Sequence, residues 1–208
     1  MAITINGSGT VTGISVGGLP DGIVDAGTLA SNSVEAAKIN DDAVTYGKLA
    51  DGVINYDEWW YTSDLSLSTD SADDLTANLT RQTAPSAIGS AMTQSSGVFT
   101  FPEPGIWHIS AYGNFYKSGG DVRGMGLYIK YSSNDGGAWA TATYALGNMR
   151  DGSGTTYLNT TAQMSLDVTD TGNQKIKFTA WCSTSSAHLY GTSSYDATSF
   201  RFTKLGAT

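Results

Sequence analysis

The chain has 208 residues, 40% of them hydrophobic and 14% charged, with 25 glycines and a net charge of −8. That balance gives one sizeable core plus an extension, built from strands, turns and polar loops rather than helices. It argues against a nucleic-acid partner, whose phosphates demand a basic footprint; a single cysteine, Cys182, excludes an intrachain disulfide or a cysteine-built zinc site.

The chain opens "MAITINGSGTVTGISVGGLPDG". With neither a basic start nor a long apolar run, it predicts no secretory signal, and folding in a cytosol. No run anywhere approaches the ~18 apolar residues of a membrane span, so no membrane insertion is expected. Ile3 and Ile5 alternate with Thr and Asn before Gly-separated pieces, which reads as short strands with Gly turns, a docking element over residues 1–20.

Residues 21–56 read as a shaft. Ile14, Leu19, Val24, Leu29, Val34, Ile39, Val44, Leu49, Ile54 and Trp59 form an unbroken five-residue series. Five residues of α-helix turn the chain by about 500°, so successive apolar positions step round by about 140° and share no face. On a continuous strand they alternate faces. What remains is a run of short turns, some helical, that return one side chain each to a common axis. "PDG", "SNS", "NDD" and "ADG" supply the punctuation. Burying one Val or Leu contributes about 1.5–3 kcal/mol, against about 1–2 kcal/mol to order each residue. A lone chain therefore gains nothing. Three copies sharing an axis could stack Leu19, Val24, Leu29, Val34, Ile39, Val44, Leu49 and Ile54 in layers, clamped by a stable domain.

That domain is expected over residues 57–208, where all five Trp and most Tyr and Phe lie. The period drops to two. Phe99 and Phe101; Trp107, Ile109, Ala111 and Phe115; Met125, Leu127, Ile129 and Tyr131; Met164, Leu166 and Val168; Ile176, Phe178, Ala180 and Cys182; and Phe200 and Phe202 each share one side of a strand. The fold class is all-β: an antiparallel sandwich or jelly-roll head on an extended, repetitive trimeric shaft.

"GVFTFPEPGIWHISAYGNFY" resembles the signature of complement-type globular heads, which share the tumour-necrosis-factor-like jelly roll. Phe99, Phe101, Gly105, Trp107 and Ile109 fill its places, and "SFRFTKLG" is similar to the last strand of such heads. The resemblance implies a tight homotrimer packed through aromatic and apolar faces. The N-terminal "INGSGTVTGISVGGLPDG" and "DDAVTYGKLADGVI" resemble the start of bacteriophage tail-fibre proteins, particularly marine ones. That implies a virion protein made in the host cytoplasm, docked on another virion protein through its N-terminus and reaching a host surface glycan or protein with its head. A capsid- or collar-attached fibre with a structural role is the other reading.

Connections between antiparallel strands alternate between the two ends of a sandwich. From Gly105 they run "KSGGDVRG", "SSNDGGA", "RDGSGTT", "TDTGN" and "STSSAHLYGTSSYDAT". The first, third and fifth are the permissive ones, so they should gather at one end, opposite the shaft. The candidates there are Lys117, Asp121, Arg123, Arg150, Asp151, His188, Tyr190, Tyr195 and Asp196, Tyr on Ser- and Gly-rich loops giving contact area at low entropic cost. Catalysis is not expected. No phosphate-binding GxxxxGK occurs, His108 alternates with core residues, and His188 with Asp196 makes a triad only by coincidence among many serines. Asp70, Asp73 and Asp74 lie too close in sequence for the separated acids of a glycosidase. They read as a solvated loop or a calcium site, and no other cofactor is expected.

Overall fold

The computed structural model of the chain describes residue 39 and residues 55–84, 86–150 and 154–208. Seven of the eight shaft positions, the docking segment and Asp151 lie outside the described residues; Ile39 is 41% exposed.

Thirteen strands and no helix occur among the described residues. They are β1 (Tyr56–Tyr61), β2 (Leu65–Ser66), β3 (Ala72–Asp74), β4 (Leu79–Arg81), β5 (Thr93–Ser95), β6 (Val98–Thr100), β7 (Gly105–Ser118), β8 (Val122–Ser132), β9 (Ala140–Met149), β10 (Thr155–Val168), β11 (Lys175–Cys182), β12 (Ala187–Leu189) and β13 (Ser199–Gly206). Two antiparallel sheets result. In the first, β10, β7, β13, β1 and β4 lie side by side, with β12 and β2 continuing along the far half of β7. The second runs β5, β6, β11, β8, β9, with β3 also on β11.

The period-two runs become these sheets because every second residue can reach the space between them. Along β7, Trp107, Ile109, Ala111 and Phe115 are fully buried, while His108, Ser110, Tyr112 and Asn114 face out half-exposed. The core is an aromatic stack. Phe99 packs 5.4 Å from Trp59, 5.4 Å from Phe178 and 5.0 Å from Phe202, and Phe178 stacks on Phe200 at 4.2 Å. Such pairs add about 0.5–1.5 kcal/mol each beyond area burial. Met164 and Leu166 are only half-buried, because β10 is an edge strand.

Trp59, tenth in the five-residue series, is a buried core residue of β1. Beside it Asp57 is 1% exposed and accepts hydrogen bonds from Arg81 Nε at 3.1 Å, Trp59 Nε1 at 3.1 Å and Met92 N at 2.9 Å. One buried carboxylate thus ties β1, β4 and the segment entering β5. Between β5 and β6, Ser96 and Gly97 both have positive φ, 48° and 79°, as a two-residue type I′ turn requires. A Cβ at Gly97 would sit 2.0 Å from the Leu75 carbonyl oxygen, so only glycine fits.

Candidate functional site

Strand register fixes which loops meet. Val168 pairs with Gly105, Gly206 with Ile106, and Tyr56 with Thr203. The first strand therefore starts, and the last one finishes, at the same end of the sandwich. Of the five connections after Gly105, the second and fourth lie at that terminal end, linked by Asp135 N donating to Asn173 O at 2.9 Å. At the opposite end Ser118 pairs with Thr155, and Gly119 N donates to Gly154 O at 3.0 Å. The first and third permissive connections are thereby joined. The fifth comes alongside through Tyr190 N, which donates to Asn114 O at 2.7 Å.

This last connection is not a plain loop. Ala187–Leu189 form β12, paired with Lys117–Phe115 of β7, and Ala187 and Leu189 are fully buried. His188 consequently faces out, stacked on Tyr116 at 4.7 Å with an interplanar angle of 11°. Its Nδ1 lies 3.2 Å from Ser66 Oγ. Tyr116 also meets Tyr190 edge-on at 5.9 Å and Tyr157 at 5.9 Å, and the hydroxyls of Tyr190 and Tyr195 share a 2.7 Å hydrogen bond. Asp64, which the sequence reading missed, holds the group together. It accepts from Tyr116 Oη at 2.8 Å and from Gly191 N at 2.9 Å. Desolvation and the Asp64 carboxylate push the Tyr116 phenol up to about 12. The Tyr195 hydrogen bond, with some desolvation, raises Tyr190.

The other candidates divide. Asp121, Arg123 and Arg150 are exposed at this end. Lys117 donates to the Gly119 carbonyl and so braces its own turn. Asp196 is spent internally: Arg201 Nη2 donates to it at 2.7 Å, while Arg201 Nε donates to the buried Glu58 at 2.9 Å. Burial pushes the Asp196 carboxyl up, against the pull of Arg201. Asp196 therefore pairs with Arg201 while His188 pairs with Ser66, and the two do not make a relay.

The three neighbouring acids serve three tasks. Asp73 accepts from Ser68 N and Oγ at 2.7 and 2.8 Å. Asp74 accepts from Lys177 Nζ at 2.6 Å and Thr179 Oγ1 at 2.8 Å. Asp70 lines a surface groove instead. Among the described residues no three His, Cys, Asp or Glu side chains come together to hold a metal ion.

No protein-family model matches the chain, and no curated protein matches it in sequence. Solved structures do. Murine APRIL, at pH 8.5, superposes with a TM-score of 0.51 at 12% identity, over 74% of this chain and 100% of that one. The Eiger TNF of S. frugiperda gives 0.54 at 9% identity, over 75% and 94%. At such identities the likeness is one of fold: the head is a tumour-necrosis-factor-like jelly roll.

Proposed function

We propose that the chain is a homotrimeric fibre protein of a bacteriophage particle, and that the loop end of its head attaches the particle to a host cell. The observation that carries this reading is the polarity of the head. The chain comes in at Asn55, bonded through its carbonyl to Lys204 N at 2.8 Å, and finishes beside it, while the permissive connections gather at the far end. A head held by its terminal end presents those connections outward.

Self-association is supported by the fold and by large apolar side chains left outside. Tyr157 on edge strand β10 is 61% exposed and Tyr144 on edge strand β9 is 58% exposed. The five-residue series before Asn55 asks for the same thing, since it buries nothing without copies on one axis. Three heads on one fibre then multiply weak contacts into avidity, by up to about 10²–10⁴. The head acts here by binding rather than by catalysis, with a second virion protein at the N-terminus and a host surface molecule at the loop end.

The test is adsorption of fluorescently labelled protein to candidate host cells, in competition with intact phage. Saturable binding that blocks phage adsorption is the expected result. A folded trimer that binds no host cell of its phage refutes the adhesive reading and favours a capsid- or collar-borne structural fibre.

A further inference from the structure

Arg123 belongs to a feature separate from the tyrosine cluster, on the outer face of the second sheet at the same end. With Phe178, Ala180 and Cys182 turned to the core, Trp181 faces out. Its β8 neighbours are Gly124 and Gly126, which alternate with the buried Met125 and Leu127. The indole lies against Gly124: a Cβ there would come within 3.0 Å of Trp181 Cζ3. On β9, Leu146 pairs with Gly126. A groove of about 630 Å³ results, lined by Asp70, Arg123, Leu146, Asn148, Trp181 and Ser183 over the glycine backbone.

The polar groups along it are unspent. Arg123 and Asp70 border the same groove, yet among the described residues neither side chain makes an ion pair or hydrogen bond, and nor does that of Asn148. Ser183 Oγ accepts from Gly124 N at 3.0 Å, which leaves its own proton to donate. Asp70 comes from a fixed turn: its φ is 52° and its N–H donates to Cys182 O at 2.9 Å.

We propose that this groove binds a saccharide unit of a surface glycan. The proposal rests on the adhesive reading above and names its ligand class. A pyranose presents a face of C–H bonds and a rim of hydroxyls that both donate and accept. Trp181 and Leu146 match the face, and Asp70, Arg123, Asn148 and Ser183 match the rim. One positive and one negative side chain on the same groove cancel, and the Asp70 carboxylate disfavours phosphate or sulfate, so the fit is to a neutral hexose. The volume lies within the roughly 300–1,000 Å³ of ordinary ligand pockets.

Saturation-transfer NMR on the full chain, with the methyl glycosides of galactose, glucose and mannose as probes, tests this. Transfer to the ring C–H protons of at least one is expected, and Trp181→Ala abolishes it. Asp70→Asn weakens binding by at least about tenfold, because a charged acceptor is lost, while Asn tolerates the same left-handed turn. Trp139→Ala, which removes the indole beneath Lys177 at the other end of this face, leaves transfer unchanged. Transfer that survives Trp181→Ala overturns the proposal. So does the absence of transfer from all three sugars in a protein that still adsorbs to cells, a result that leaves the adhesive reading standing. Trp181-dependent transfer in a protein that adsorbs to no cell supports the groove and sinks the adhesive reading instead.

Discussion

Asp57→Ala should cost the head about 2–6 kcal/mol, because it leaves two buried donors without an acceptor. The structure shows where that comes from. Asp57 is 1% exposed, and its Oδ2 accepts from Met92 N at 2.9 Å and Trp59 Nε1 at 3.1 Å. Each donor left unpaired in the interior costs about 1–3 kcal/mol. The Arg81 side chain is 37% exposed, so it turns to water and adds little. Asp57→Asn keeps one acceptor oxygen and should lose about half as much. Urea unfolding of both variants, at fixed chain concentration because assembly adds to stability, measures this directly. At about 2–4 °C per kcal/mol for a domain this size, Asp57→Ala should also melt ~10 °C lower. A loss below about 1 kcal/mol with an unchanged urea slope would refute the idea that this carboxylate ties β1 to β4 and the Met92 segment.

Burial works to raise the Asp74 carboxyl, but hydrogen bonds from Lys177 and Thr179 hold it below its ordinary value. Its contribution is therefore present above about pH 4 and lost as pH falls through the folded value; unfolding midpoints of wild type and Asp74→Asn should converge on acidification, and parallel curves would contradict this. Desolvation and the Glu58 hydrogen bond push the Tyr56 phenol up to about 12, as burial and Asp64 do for Tyr116. Both folded values lie above the unfolded value of about 10, so that stability holds below about pH 10 and is lost as pH rises toward 12. Absorbance titration should show late-ionising tyrosines, one fewer in each of Tyr56→Phe and Tyr116→Phe; a titration unchanged by either contradicts the geometry. Under the proposed fibre reading, replacing Val34, Ile39 and Val44 together with Asp should abolish packing of the five-residue series yet leave the head trimeric by light scattering, and a monomer would contradict that division between series and head.

The long strands were legible because contrast was high. In "GIWHISAYGNFY" every inward place is apolar or Gly and most outward places are polar, so the pattern alone orients β7. Strands β2 to β5 have two or three residues each, too few to show a period, whereas at β6 the alternation of Phe99 and Phe101 marked the strand. The β12 strand hid inside a Ser- and Gly-rich run that reads as loop, although Ala187, His188 and Leu189 do alternate. The Asp57 contacts were out of reach, since Arg81 and Met92 lie 24 and 35 residues away and only the fold joins them. Loop order followed from strand parity, which needs no side-chain detail. The groove around Trp181 could have been found: Trp181 falls between the inward Ala180 and Cys182, so an outward tryptophan was written into the alternation. Asp196 went the other way, because sequence cannot show that Arg201 claims it.

The central claim is that the loop end of the head meets the host while the terminal end does not. Ser194→Cys places a single reactive thiol in the exposed part of the last connection, and Ala138→Cys places one at the terminal end. Native Cys182 is fully buried and its thiol is raised by burial, so it stays silent to maleimide at neutral pH. With biotin at each position in turn, streptavidin should abolish adsorption of the Ser194→Cys protein and leave that of Ala138→Cys intact. The reverse pattern, or equal adsorption of both, would contradict the account.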